Sequence, residues 1–390
     1  MYQTFLLAGI WLGLALLSTI LSARLKIATA LSEIFVGIFA HLILVTWIGS
    51  TILAPDTDWI QFLAGTGSIF LTFLAGAELD PTIFKKNWKE AFLIGFISFL
   101  VPFFGCAAIA YYFLDWSSQA SWLTGIALST TSVAVVYAVM LEFGLNRTNY
   151  GKTVLAACFI TDLGTVLALG LMFSPFTIKT ILFFGVTTIV GVLSPYIVPR
   201  LFKVFGKLPS EFETKLLLFV LFLLGALAGW AGSEAVLPAY LMGIALANIV
   251  GKDHALIIRL RTLTFGLLTP FYFIRAGAFV SLPTLFAAPL IFFALFLGKI
   301  FTKVVGVYPT TRWMGSSKKE GIYTTLLMST GLTFGTISAL YGLSHGIIDN
   351  TQYSHLVAVV VGSAILPTLI ANAFYLPKHL LQKREEENPL

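Results

Sequence analysis

Charge is what this sequence has least of. Only 11% of its 390 residues are Asp, Glu, Lys or Arg, against about 25% in a soluble domain. So few charges cannot cover the surface of a chain this long in water. Cysteine is almost absent. Cys106 and Cys158 are the two there are, and both lie inside apolar runs, which excludes a disulfide framework and a thiolate metal site and leaves them as small packing residues. The five histidines have no metal-site company. There is no phosphate-cradling glycine loop, nucleophile elbow or H-E-x-x-H, so nothing points to an enzyme or a cofactor. The first apolar run, about Phe5 to Ile20, lacks a basic leader and an A-x-A step and reads as a retained helix rather than a signal peptide. The net charge of +6 does not imply a nucleic-acid partner, because the basic residues sit in short breaks between apolar runs.

What is present is apolar length. Hydrophobic residues make up 58% of the chain, in runs longer than a helix stripe or a strand face requires. They predict an all-α polytopic membrane protein whose main solvent is the lipid bilayer, with about thirteen spans: 4–23, 27–49, 59–78, 88–114, 120–142, 150–173, 177–200, 213–231, 235–250, 262–281, 284–306, 320–342 and 352–376. The ninth is short, and Pro270 and Arg275 interrupt the tenth. With the N-terminus outside, alternate breaks collect 20 of the 24 Lys and Arg and the others hold only Lys179; Arg275, Lys299 and Lys303 fall within spans. That asymmetry predicts an outside N-terminus and a cytoplasmic C-terminus. Asp56, Asp58, Asp115, Glu234 and Asp349 fall in the outside breaks. The tail, 377–390, is short, and the expectation is that no soluble regulatory domain is attached.

The chain also echoes itself. Ser129-Thr130-Thr131-Ser132-Val133 lies in the fifth span, and Ser329-Thr330-Gly331-Leu332-Thr333 about 200 residues later in the twelfth. With the seventh span as linker, spans 1–6 and 8–13 form two six-helix halves of opposite topology. Paired interrupted segments at corresponding places mark a transporter site near the midplane, although Ser and Thr are also ordinary packing residues in membrane helices.

Ionisable side chains inside a span are costly and are therefore candidates for function. Asp162 leads them. Cys158, Thr161, Asp162 and Thr165 share one helix face by their spacing, which gathers a carboxylate and hydroxyls into a hard-ligand site for a small cation. Proton and cation would compete there for one oxygen pair. Thr130, Thr131 and Ser132 would complete the shell if the fifth span is unwound. Glu78, in Phe73-Leu74-Ala75-Gly76-Ala77-Glu78-Leu79-Asp80-Pro81, stands either in the ion path or a buried ion pair, or at a solvated end, with Asp80-Pro81 reading as a turn and helix start. Arg275 needs an acidic partner, for which Glu78 and Asp162 are the candidates, or a water-filled cavity. Lys299 is expected deep, pairing with the site acid; Lys303, four residues on, is expected to snorkel to the inner surface. Glu33 is placed near the inner mouth. His41 and His355 read as packed or near helix ends, and His345 with Asp349 as a weak modulator of pH response.

These residues resemble the monovalent cation:proton antiporter-2 family. The resemblance is carried by Ala127-Leu128-Ser129-Thr130-Thr131-Ser132-Val133-Ala134-Val135-Val136 followed by Thr161-Asp162, by Phe73 to Asp80, and by Gly298-Lys299, in order along nearly the whole chain. It implies a homodimeric antiporter exchanging Na+ or K+ for H+ in a bacterial inner membrane or a related organelle or thylakoid membrane. It implies a scaffold of helices about 1–50 and 177–250 and a core of about 59–173 and 262–376, with the fifth and twelfth spans broken and crossed. It assigns cation and proton binding to Asp162 supported by Thr131 and Ser132, and matches Lys299 to the family's intramembrane lysine. One departure is Thr161, where many members carry Asp or Asn; a single carboxylate at this step makes one-for-one exchange plausible, while Glu78 and Lys299 remain candidates for the other titrating group and leave the stoichiometry open. The expectation that no nucleotide-binding tail follows argues against the glutathione- or nucleotide-gated potassium efflux branch. The competing readings are a sodium-coupled organic-anion symporter, disfavoured because few Asn or Gln fall mid-span, and an intramembrane enzyme or sensor, for which no catalytic constellation is visible.

Overall fold

The computed structural model describes residues 2–25, 27–44, 53–78, 88–145, 148–173, 177–206, 210–233 and 235–377, without the side chains of 138, 141 and 142. Lys26, Leu79, Asp80, Pro81, Lys85, Lys86, Arg147, Lys207, Glu234, Lys378, Lys383 and Arg384, used in the loop reading, lie outside the described residues, as does the tail from 378 onward. Among the described residues there is no strand. This follows from the solvent: in hydrocarbon every backbone N–H and C=O must be satisfied within the protein, and a helix does so within one segment.

The helices are α1 (Tyr2–Leu25), α2 (Thr29–Ile43), α3 (Asp58–Ala77), α4 (Trp88–Tyr112), α5 (Ser118–Ser129), α6 (Val133–Glu142), α7 (Asn149–Met172), α8 (Ile178–Phe205), α9 (Phe212–Trp230), α10 (Val236–Leu246), α11 (His254–Leu263), α12 (Thr269–Ala278), α13 (Leu282–Ala287), α14 (Pro289–Trp313), α15 (Lys318–Met328), α16 (Thr333–Ser344) and α17 (Asn350–Ile370). Eleven stretches among the described residues are long and apolar enough to cross a membrane, and α2 and α10 are shorter apolar helices. These two fall where the second and ninth spans are expected.

Boundaries shift for local reasons. The tenth expected span begins at His254 rather than near 262, because the Asp253 carboxylate accepts from Leu256 N at 3.0 Å and caps α11. It reaches α12 through a π-helical turn, Thr264–Leu268. The eleventh expected span begins at Pro289, since Ala288, at φ −133° and ψ 60° before a proline, leaves the helical region and separates off α13. α8 runs on to Phe205 through Pro195 and Pro199.

The chain forms two compact units. The first comprises Met1–Ala15, Leu53–Thr82 and Val166–Arg275. Its core joins Phe70, Phe73, Leu217, Leu221, Met242 and Leu260. α3 and α10 touch backbone to backbone: a Cβ on Gly76 would stand 2.5 Å from Tyr240 O, and one on Gly243 would overlap Phe73 O. Apolar solvent gives helices little reason to associate, so close contact of small residues supplies the attraction. Trp11 donates to Leu53 O at 3.0 Å and stacks on Phe271.

The second unit comprises Leu16–Ile52, Ile83–Thr165 and Ala276–Leu390. α4 packs on α5 and α14, α5 on α16, and α14 on α15 and α17. Ile94, Met140, Leu155, Val307, Tyr323 and Leu327 belong to its core. Its helix starts are capped by Ser117, by the Ser317–Glu320 capping box and by the Asp349–Gln352 capping box.

Candidate functional site

The site is built in the second unit from two interrupted helices. α5 ends at Ser129 and α6 starts at Val133; α15 ends at Met328 and α16 starts at Thr333. Each interruption exposes carbonyls at one half-helix end and N–H groups at the other. The sequence repairs part of this locally. Ser129 and Thr130 donate to Ile126 O and Ala127 O, and Ser329 and Thr330 donate to Thr325 O and Leu327 O. These are the hydroxyl back-bonds that short polar side chains offer a helix end. The two breaks then bond each other: Ser132 N donates to Thr330 O at 3.0 Å, and Thr131 Oγ1 donates to Met328 O at 2.8 Å. Thr130, Thr131 and Ser132 are all buried.

Asp162 stands on α7 at 2% exposure. Its Oδ1 has no hydrogen-bond partner among the described residues. A buried polar atom left this way costs about 1–3 kcal/mol, more for a charged group. Thr161 beside it turns to α4, its Oγ1 reaching Ala157 O at 3.0 Å and Gly95 O at 3.3 Å. Thr165 donates to Thr161 O. One turn before Asp162, Cys158 Sγ lies 3.6 Å from Met328 Sδ, which packs α7 against the end of α15.

α14 brings two lysines to the breaks. Lys303 does not snorkel: it is 0% exposed, and its Nζ donates to Ser98 Oγ at 2.9 Å, Ser129 O at 2.8 Å and Thr131 Oγ1 at 3.1 Å. Three acceptors match the three N–H bonds of an ammonium, and the carbonyl end of α5 is where a helix dipole favours a cation. Lys303 makes no direct ion pair with Asp162 among the described residues. The expectation failed because the span was read by depth along α14, whereas the α4 and α5 oxygens draw the ammonium inward. Lys299, also 0% exposed, donates to Ser363 Oγ on α17 at 2.9 Å. It lies against Gly331 in the second break, where any Cβ would overlap its Nζ. Sequence reasoning missed Ser98, Ser363 and Gly331 as neighbours of these amines; the i, i+4 spacing of the lysines was the available signal.

The remaining candidates have other surroundings. Glu78, in the first unit, is held bidentately by Arg261, at 2.8 Å to Nε and 2.7 Å to Nη2. Arg275, also in the first unit, donates to Pro55 O at 2.8 Å and stands 3.8 Å from Asp56 Oδ1. These are partners the sequence did not nominate. Glu33 is buried on α2. His345 Nδ1 faces Tyr341 O at 3.0 Å and its ring lies on Tyr341, while Asp349 caps α17.

Comparison with known proteins agrees with this architecture. The family model described as "Sodium/hydrogen exchanger, transmembrane" matches residues 12–374. The chain is 25% identical over 341 residues to "Probable Na(+)/H(+) antiporter 3" of Methanocaldococcus jannaschii, covering 84% of this chain and 86% of that one. It is 26% identical over 367 residues to "Na(+)/H(+) antiporter" of Enterococcus hirae, covering 91% and 93%. Its fold is similar to that of the sodium proton antiporter MjNhaP1 from Methanocaldococcus jannaschii, with TM-score 0.70 at 19% identity over 97% of this chain and 99% of that one. The matched relatives are transporters, not enzymes. The chain belongs to the sodium/hydrogen exchanger family, whose members are monovalent cation:proton antiporters embedded in membranes.

Proposed function

We propose that this chain exchanges Na+, with K+ as the alternative cargo, for H+ by alternating access, with Asp162 as the shared ion and proton site. One observation carries the reading: a buried carboxylate oxygen at the helix crossing that no described residue satisfies. A dry carboxylate without a partner is costly in its charged state. A proton or a small cation neutralises it, and the occupied site can then cross a dry barrier that the empty one cannot. Both ligands use the same oxygens, so each excludes the other, and that exclusion couples the two fluxes.

The hydroxyls define what must move. Thr131 Oγ1 already donates to Met328 O and accepts from Lys303. It becomes a better cation ligand when the Lys303 ammonium withdraws and frees the lone pair and the space it holds. In this reading Lys303 occupies the place of the transported cation while the site is empty, and an incoming ion displaces it. Thr130 and Ser132 supply further oxygens, and Lys299 buttresses the second break. With Thr161 committed to α4, Asp162 is the carboxylate at this step, which supports one-for-one exchange.

The reading extends to a homodimer with scaffold and core helices, an outside N-terminus, a cytoplasmic C-terminus and a bacterial inner or organellar membrane. The loop charge asymmetry supports the orientation, and cysteine labelling from each side of sealed vesicles tests it. For the site, proteoliposomes holding Asp162→Asn are given an imposed pH gradient, and a pH-sensitive dye follows its collapse on adding Na+, K+ or Li+. The variant is expected to give no cation-dependent dequenching while eluting as the folded wild-type protein does. A wild-type response from it would reject Asp162.

A further inference from the structure

Three consecutive residues at the start of α17 fasten the chain that runs from α12 to α14. Tyr353 OH donates to Ala276 O at 2.7 Å, Ser354 Oγ accepts from Ser281 N at 2.9 Å, and His355 Nε2 stands 3.0 Å from Ala288 O. The first two ties do not depend on charge near neutral pH. The third does. The other ring nitrogen of His355, Nδ1, faces Thr351 O at 2.8 Å, so both nitrogens of this buried ring meet backbone carbonyls. A carbonyl only accepts. A neutral imidazole has one donor and one acceptor nitrogen, and only the imidazolium donates from both. In the neutral ring, one of the two contacts sets a lone pair against a carbonyl oxygen.

We infer that His355 is a proton-dependent latch: protonated, it ties α17 to the start of α14, and on losing a proton it releases one of its two carbonyls. Thr351 O lies one turn back on the same helix, so the tie that can be given up by movement is the one to Ala288. Ala288 is the N-cap of α14, the helix that carries Lys299 and Lys303. Two turns beyond His355, Ser363 of α17 holds Lys299 of α14. Between these ties, Gly362 lies against Phe292 and Phe296. The latch therefore fixes the outer end of a helix pair whose middle holds one of the site's lysines, so its release alters how firmly that helix is set. This inference goes beyond the proposed cation site and stands whether or not Asp162 binds the ion.

The charged and ionisable groups around His355 are set by the elements packed against α17. α13 carries no ionisable residue, nor does α14 before Lys299, nor α5. On the other elements packed against α17, the ionisable groups are Tyr272 and Arg275 on α12, Lys299, Lys303, Tyr308 and Arg312 on α14, Lys318, Lys319, Glu320 and Tyr323 on α15, Tyr341 with His345 at the end of α16, and Tyr375 in the closing turn. On α17 itself they are Tyr353 and Asp349, the latter occupied in capping Gln352 N. Histidine is the side chain whose ordinary charge change falls between pH 5 and 8.

Backbone amide hydrogen exchange over residues 281–291 tests the latch in the full-length protein in nanodiscs, after correction for the intrinsic pH dependence of exchange. Wild-type protection is expected to fall by about fivefold or more between pH 5.5 and 8. His355→Gln, or His355→Asn if the first does not fold, should show the low protection at both pH values. Ser354→Ala, which removes the neighbouring tie without removing a titrating group, should lower protection at both and keep the fall. Equal wild-type protection at the two pH values, or a fall that persists in the histidine variants, would overturn the inference.

Discussion

The two compact units treat their charges differently. In the first unit, Glu78 meets Arg261, Arg259 meets Glu211 and Glu213, and Arg275 meets Pro55 O and Asp56. In the second, Asp162, Lys299, Lys303 and Glu33 are buried, and none of them makes an ion pair among the described residues. Paired charges fix geometry and change little when the solvent or ion content changes. A buried charge that lacks a permanent opposite is expensive to keep, and such an arrangement persists where the partner is meant to come and go. On the proposed reading, the contrast separates side chains that hold the protein together from side chains available for exchange.

That contrast is open to attack from both units. The largest effect is expected from Asp162→Asn, with exchange falling by more than about 100-fold, equivalent to about 2.7 kcal/mol, in the dye assay. Next comes Lys303→Met. It leaves Ser129 O without the donor seen here and removes the countercharge, so about a tenfold or greater loss of exchange is expected, with destabilisation of about 1–3 kcal/mol read from thermal unfolding. Arg275→Met should cost about 1–3 kcal/mol for the same reason at Pro55 O, yet keep the apparent cation affinity of the folded fraction. A large change in that affinity would erase the distinction between the units. Lys299→Met removes a single described hydrogen bond, worth about 1.5–3 kcal/mol for a charged donor, and should slow exchange less than Lys303→Met. The reverse order would exchange the roles of the two amines. Glu78→Gln should matter least. Its pair is a third to a half exposed, and surface pairs contribute about 0–1 kcal/mol, falling further in high salt.

Fold class was legible because it depends on averages. Scarce charge and long apolar runs are properties of whole segments, and no local accident hides them. The interruptions were legible for a related reason: Ser129 to Ser132 and Ser329 to Thr333 each place hydroxyls where a lipid-facing span would carry Leu or Val. Asp162 stood out by its cost. What stayed hidden depends on which way a side chain turns between neighbours. Lys303 and Lys299 are one turn apart on one helix, and nothing along the chain says that α4 and α5 supply oxygens to the first while α17 supplies one to the second. Likewise, Arg275 was expected to seek a distant carboxylate, but the first oxygen it meets is a backbone carbonyl at Pro55, and sequence carries no label for carbonyls. The start of α11 was obscured because Arg259 and Arg261 lower the local hydropathy, although Asp253 supplies a capping signal.

The link between Ser132 N and Thr330 O is made by main chain alone. No single side-chain replacement removes either atom, except a proline at the donor. The lining of the crossing can therefore be varied, hydroxyl for amide or small for large, without untying the junction. A lineage could retune which ion it carries by altering decoration around a fixed knot, and relatives with different cargoes need not differ in their frame.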